Sequence, residues 1–196
     1  NYDRALGYHR QSFEIEKEIG DIYGLAISHA NLGLILCRQG DYAQALQHLE
    51  EAVRICGDIE CEWLLPEAYR VMAEVRLALG EVNTALEFGQ ASLEMAHKTG
   101  DEAFEGVAHR VLGKIEALGC GQWERGENHF SKSIDILKAL GNEHELGKSC
   151  YEFGLVLRDK GDTDRAQEYL SQAVKIFEKT GATERLQRAK AACRQL

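Results

Sequence analysis

The sequence predicts an all-α solenoid, about ten antiparallel helices stacked as hairpins, and three observations predict it. First, glycine recurs about every twenty residues: Gly20, Gly40, Gly80, Gly100, Gly141, Gly161 and Gly181, with Gly57 slightly early and the Gly119/Gly121 pair near the remaining beat. Second, the residue after a beat is usually a helix starter, as with Asp21, Asp41, Glu81, Asp101, Asn142 and Asp162. Glycine in the left-handed conformation ends one helix, and Asp or Asn caps the next. Third, apolar residues between the corners keep helical spacing, as in Leu25, Ile27, Ala30, Leu32, Leu34, Ile35 and Leu36, and no β-type alternation persists.

The elements are expected in this order. A lone helix is expected over 2–19, then helix pairs over 22–57, 62–99, 102–140 and 143–180, and a terminal helix over 183–196. Asp41 with Gln44, and Asn142 with Glu145, have capping-box spacing. Gly33, Ala73, Gly113 and Gly154 recur in the first helix of each pair, and Ala45, Ala85, Gly126 and Ala166 in the second. Glycine inside a helix costs about 1 kcal/mol relative to alanine, so these columns predict close approach of the paired helices. A second small column lies seven residues earlier, at Ala26, Pro66, Gly106 and Gly147, on the same helix face. Two corners look irregular: the run from Gly57 to Trp63, and Gly119 to Trp123, which holds about one extra residue. In the last helix Leu186, Ala189, Cys193 and Leu196 form a narrow apolar stripe among Arg185, Gln187, Arg188, Lys190 and Arg194, as expected of a cap. The first helix has no partner before it, so its outer face is read either as a result of truncation or as a site of self-association.

Composition bounds the function. The 196 residues hold 32 acidic and 23 basic side chains, a formal charge of −9 and a pI near 5.3, which argues against a non-specific nucleic-acid binder while leaving a local basic face open. No stretch approaches eighteen uncharged apolar residues, and the start Asn1-Tyr2-Asp3-Arg4 has neither a basic nor an apolar signal region, so neither a membrane span nor a signal peptide is read. The six cysteines, Cys37, Cys56, Cys61, Cys120, Cys150 and Cys193, include no CxxC pair and are expected to be reduced thiols in the cytoplasm, with Cys56 and Cys61 the one local pairing to check. The missing initiator Met suggests an excised piece of a longer chain.

Chemistry-bearing motifs are scarce. There is no phosphate-binding loop ending in Gly-Lys-Ser/Thr, Gly119-Cys120-Gly121 lacks a third glycine, and His144-Glu145 is followed by Lys148 where a zinc protease needs His. No catalytic activity, cofactor or metal is expected.

The repeat itself carries a resemblance. Leu32, Gly33, Leu36, Gly40, Ala45, Leu49 and Ala52 recur as Tyr69, Met72, Ala73, Gly80 and Ala85; as Leu112, Gly113, Gly126, Phe130 and Ser133; and as Phe153, Gly154, Gly161, Ala166, Leu170 and Ala173. This column resembles the tetratricopeptide repeat, with Leu at several aromatic positions. The repeat is near forty residues and ends with Gly where the shorter form has Pro. It is similar in this to the arrays of Pins/LGN polarity adaptors, kinesin light chains and bacterial signalling ATPases, cyclases and transcription regulators. The resemblance spans essentially the whole chain.

It implies a right-handed superhelix whose concave wall, made by the first (A) helix of each pair, holds an extended or helical peptide. The family's groove positions fall on Ile27, Ala30, Asn31, Leu34, Cys37 and Arg38; on Glu67, Arg70, Glu74 and Leu77; on Val107, Arg110, Lys114 and Ala117; and on Lys148, Tyr151, Leu155, Arg158 and Asp159. Six of these are basic and three acidic, an excess of +3 inside a chain of −9. Such a groove would steer an acidic or carboxylate-bearing segment toward it. The alternative is an ordinary solvated face with charges paired along the helix, Arg70 and Glu74 being at i, i+4. Asn31 is the candidate to hold a ligand backbone. The implied function is a protein-interaction scaffold with a protein or peptide partner; the alternative is a regulatory or sensor arm of a larger signalling ATPase, cyclase or transcription regulator.

Overall fold

The corners are built from backbone that glycine adopts without strain: Gly20, Gly40, Gly80, Gly100, Gly141, Gly161 and Gly181 all have φ between 66° and 89°. The structure, a computed structural model, describes residues 2–196 and their side chains except those at 2, 3 and 5. Asn1 and the side chains of Tyr2 and Asp3, part of the start read for a signal peptide, lie outside the described residues. Ten α-helices succeed one another: α1 (Tyr2–Ile19), α2 (Ile22–Gln39), α3 (Tyr42–Asp58), α4 (Leu65–Ala78), α5 (Val82–Thr99), α6 (Glu102–Lys114), α7 (Trp123–Ala139), α8 (Glu143–Lys160), α9 (Thr163–Lys179) and α10 (Thr183–Cys193). No strand occurs among the described residues.

Side chains after the glycines start the helices as their chemistry requires. The carboxylate of Asp21 accepts from the Gly24 N–H at 2.9 Å, Asp41 from Gln44 at 3.2 Å, and Asp101 from Phe104 at 3.0 Å. The Asn142 side chain accepts from the Glu145 N–H at 3.2 Å, but the Glu145 carboxylate turns to Arg110 and Lys148 instead of back to the cap.

Two corners depart from the glycine pattern. Gly57 lies inside α3, and the left-handed residue of that corner is Glu60, with φ 54°. The Cys61 N–H closes the corner onto the Cys56 carbonyl at 2.9 Å. A 3-10 turn, Glu62–Leu64, then leads into α4, with Pro66 in its first turn where a missing N–H costs no hydrogen bond. At the second corner Gly121, with φ 69°, ends the run in place of Gly119. The chain beyond α6 continues as a π-turn, Ile115–Gly119, in which the Cys120 N–H reaches the Ile115 carbonyl at 3.0 Å. A π-turn takes up one residue more than an α-turn. The small residues of this hairpin, Gly113 and Gly126, are one position further apart than Gly33 and Ala45, Ala73 and Ala85, or Gly154 and Ala166.

The chain forms two compact units, Asn1–Gly100 and Asp101–Leu196. In the first, α2/α3 and α4/α5 are hairpins and α1 lies against α2; Leu36, Ala45, Leu49, Val71, Met72 and Val75 form its core. In the second, α6/α7 and α8/α9 are hairpins and α10 closes on α9. Its core stacks Phe130 on Phe153, with centroids 4.8 Å apart and planes within 12°. Ala189 and Ala192 of α10 are buried while Glu184 and Arg188 face solvent, so this helix covers an apolar face and shows a polar one.

Close approach explains the small columns. A Cβ on Gly33 would lie 2.6 Å from the Leu49 side chain, one on Gly154 2.7 Å from Leu170, and one on Gly113 2.8 Å from Phe130. In the hairpin with the π-turn the second small residue is Gly126 and not Ala, because the Ala117 Cβ already stands 2.7 Å from where its own Cβ would be. None of the six cysteines is in a disulfide. Cys56 and Cys61 are buried neighbours, and burial followed by the Cys61 sulfur pushes the Cys56 thiol up to about 12.

Candidate functional site

In the second unit α6 and α8 lie side by side, and Arg110 ties them. Only 3% of it is exposed. Its Nη2 donates to Glu145 Oε2 at 2.8 Å, and its Nη1 to the Glu145 carbonyl at 3.2 Å and to Ser149 Oγ at 3.3 Å. Ser149 Oγ in turn lies 2.8 Å from Ser133 Oγ on α7. The Arg110 Nε stands 3.8 Å from Glu152 Oε1, too far for a hydrogen bond but close enough for attraction. Lys148 Nζ donates to Glu145 Oε1 at 2.5 Å, and Lys114 Nζ is 4.0 Å from Glu152 Oε2.

The electrostatics arise from this geometry. Burial works against an ionised Glu145, but Arg110 and Lys148 outweigh it and bring its pKa down to about 2. Burial lowers the pKa of Lys148 despite Glu145. At the start of α8, His144 Nε2 lies 2.8 Å from Arg185 Nη1. Burial, then Lys148 and Arg185, lower the His144 pKa. Further along α8, Arg158 bonds Asp159 Oδ1 at 2.9 Å and Gln195 Oε1 at 3.4 Å, with Tyr151 and Leu155 half-buried between.

In the first unit Arg70, 5% exposed, holds Glu67 through Nε at 2.8 Å and Nη2 at 2.7 Å, and Glu74 through Nη1 at 2.7 Å. Burial opposes the charge on Arg70, and the Glu74 and Glu67 carboxylates more than restore it. Arg38 is exposed at the end of α2, while Asn31 and Leu34 are half-buried and Leu34 packs on the core. Ala30, Val107 and Ala117 are core residues and line no open face.

The charges expected of the groove therefore divide into two classes. Arg70 and Arg110 are structural cations already met by carboxylates. Arg38, Lys114 and Arg158 keep solvent-facing surface, and Lys148 retains a little. The two acids that sequence reasoning left out are Glu145 and Glu152; counting them reduces the excess of +3 to +1. Glu145 was spoken for by its capping-box spacing, and Glu152 stands one residue off the stripe through Lys148, Tyr151 and Leu155. Their spacing, seven residues apart on one helix face, was the available signal. Among the described residues no group of three or more His, Cys, Asp or Glu could hold a metal ion. No helix among them is long and apolar enough to cross a membrane.

Residues 1–58 and 147–180 each match a tetratricopeptide-repeat family model. These two segments are tetratricopeptide repeats. Tetratricopeptide repeat protein 29 of Macaca fascicularis is 26% identical over 164 residues, covering 77% of this chain and 34% of that protein. Outer dynein arm-docking complex subunit 4 of Homo sapiens is 27% identical over 143 residues, covering 71% of this chain and 20% of that one. The chain thus spans about a third or less of the length of these relatives. Among solved structures, the apo form of RapI superposes with a TM-score of 0.77 at 21% identity, over 92% of this chain and 64% of that one. In tetratricopeptide-repeat terms α2, α4, α6 and α8 are A helices and α3, α5, α7 and α9 their B partners, so the Arg110 cluster lies on neighbouring A helices of the second unit.

Proposed function

We propose that this tetratricopeptide-repeat chain is a protein-interaction scaffold without catalysis of its own, and that the A-helix face of its second unit takes an acidic peptide segment. The observation that carries the reading is a cluster on α6 and α8 in which Arg110, Lys114 and Lys148 meet Glu145 and Glu152. Three cations against two carboxylates leave one in excess on a partly dehydrated face, where Lys114 is 41% exposed at the side chain, and Arg158, paired with Asp159, is 31% exposed nearby. In an acidic body of −9 such a face selects for negative partners and speeds their encounter at low salt. Tyr151 and Leu155 supply apolar surface beside it. In the first unit Asn31, Leu34, Arg38 and Glu74 are the corresponding contacts. That a relative is named as a subunit of a docking complex fits a scaffold role. Six cysteines with no disulfide among them fit a reducing compartment, and we assign the protein to the cytoplasm.

The test is affinity capture from source lysate with wild type and Lys114→Glu/Arg158→Glu side by side. These residues are chosen over Arg70 and Arg110, whose loss would strand half-buried carboxylates. Loss of the captured partner supports the face; unchanged capture removes it. A second reading is a regulatory or sensor arm of a longer signalling ATPase, cyclase or transcription regulator, favoured by the small share of its relatives' length that the chain covers. A gene encoding only these residues and a start codon would count against it.

A further inference from the structure

One pair of positions recurs in every hairpin. It consists of the residue four before the small residue of the A helix, and the residue three after the small residue of the B helix. In α2/α3 these are His29 and His48; in α4/α5, Tyr69 and Phe88; in α6/α7, His109 and His129; in α8/α9, Cys150 and Tyr169. The two histidine pairs have the same geometry. His29 Nδ1 is 3.0 Å from His48 Nδ1, and His109 Nδ1 is 2.8 Å from His129 Nδ1, with ring centroids 5.0 Å apart in each pair and planes tilted by 47° and 43°. The Tyr69 and Phe88 rings at the same place stack at 6.0 Å.

Two imidazole nitrogens at hydrogen-bond distance can share one proton between them: one ring donates N–H and the other accepts. With one added proton on the pair, the shared bond survives as a charge-assisted one. With both rings protonated, two N–H groups of like charge face each other at the same contact, and the bond is lost. A phenyl or phenol ring in the same position has no such dependence. We propose that His29–His48 and His109–His129 are pH-sensitive clasps between the A and B helices of α2/α3 and α6/α7, while α4/α5 and α8/α9 have no imidazole pair at that place.

The surroundings decide the direction. Around the first pair Glu51 and Arg54 of α3 and Glu16 and Arg10 of α1 stand nearby, with the Phe13 ring edge-on to His29 at 5.0 Å. The acids favour a charged ring and the arginines oppose it, but burial comes first among the causes, and both His29 and His48 lie below the ordinary histidine range. Around the second, Glu105 of α6 stands 4.0 Å from His109 Nε2, with Lys132 of α7 and Glu116 of the π-turn near His129. Burial, with Lys132, lowers His129. A histidine whose folded pKa is depressed contributes stability that is complete above its unfolded pKa of about 6.5 and is lost as pH falls toward the folded value. The hairpins that carry the clasps therefore loosen on mild acidification.

The neighbouring hairpin supplies the control substitution. His29→Tyr/His48→Phe/His109→Tyr/His129→Phe places in both clasps the pair that α4/α5 already accommodates. The thermal midpoint of wild type should fall by about 5 °C between pH 7.5 and 5.5, and that of the variant by about 1 °C or less. His9, His97, His144 and every carboxylate are the same in both proteins, so the difference isolates the pairs. Parallel loss in the two proteins would overturn the proposal. Should the variant fail to fold, nitrogen-15 spectra of the wild-type imidazoles decide. One Nδ1-protonated ring per pair, neutral down to pH 6, supports the clasp; four rings that titrate independently near 6.5 exclude it.

Discussion

Glu60 stands in backbone suited to glycine, with φ 54° at the beat where the other corners have Gly. A left-handed residue with a Cβ is strained by roughly 1–2 kcal/mol, partly offset by the smaller entropy of its unfolded chain. Glu60→Gly should therefore raise stability by about 0.5–1 kcal/mol, read as a thermal midpoint about 2 °C higher. The sequence did not disclose this residue because Gly57, three positions early, offered a plausible stop and instead continues α3. Arg110 is the opposite case, a residue placed correctly on its helix whose partners are set by packing between helices. Arg110→Ala would leave Glu145 and Ser149 short of a buried donor and should cost about 2–4 kcal/mol by urea unfolding. The Glu145 pKa of about 2 lies below its ordinary value of 4.5, so its contribution is complete above pH 4.5 and lost as pH falls through 2. In Arg110→Ala that part of the acid-unfolding curve should flatten.

Helices and corners were legible because each is fixed locally. A left-handed glycine and an Asp or Asn cap need only neighbouring residues, as the Asp21, Asp41 and Asp101 bonds show. The one-residue surplus near Gly119 could be counted, but its form could not. The chain could have bulged it into the loop, yet it is held as a π-turn, which keeps Ile115 and Ala117 buried. Leu118, exposed within that turn, is the residue to delete. Its removal should restore the spacing of the other hairpins and leave the thermal midpoint within about 5 °C of wild type. Deleting Leu77 from α4, where there is no surplus, should rotate the downstream chain by about 100° and abolish cooperative unfolding. Circular dichroism melts distinguish the two. At the close contacts, Gly113→Ala should cost about 1–3 kcal/mol, because its Cβ meets Phe130 and the Gly126 carbonyl.

Across the whole molecule, the family and the helical-hairpin architecture were readable because repetition averages out weak individual matches. The proposed binding face was less so. Groove positions can be carried over by register, but whether a cation there is free depends on carboxylates from the adjacent helix, as Arg110 with Glu145 and Glu152 demonstrates. The face we propose for binding is smaller than the six cations of the register, and it centres on Lys114, Lys148 and Arg158 beside Tyr151. The most direct test of a scaffold with an acid-selecting face is fluorescence anisotropy with two labelled fifteen-residue peptides, one rich in Glu and Leu and the other with each Glu replaced by Lys. The acidic peptide should bind wild type and weaken at least tenfold, by about 1.4 kcal/mol or more, both in Lys114→Glu/Arg158→Glu and on raising salt from 50 to 300 mM. Equal binding of both peptides, or an affinity unchanged by the double reversal, would contradict it.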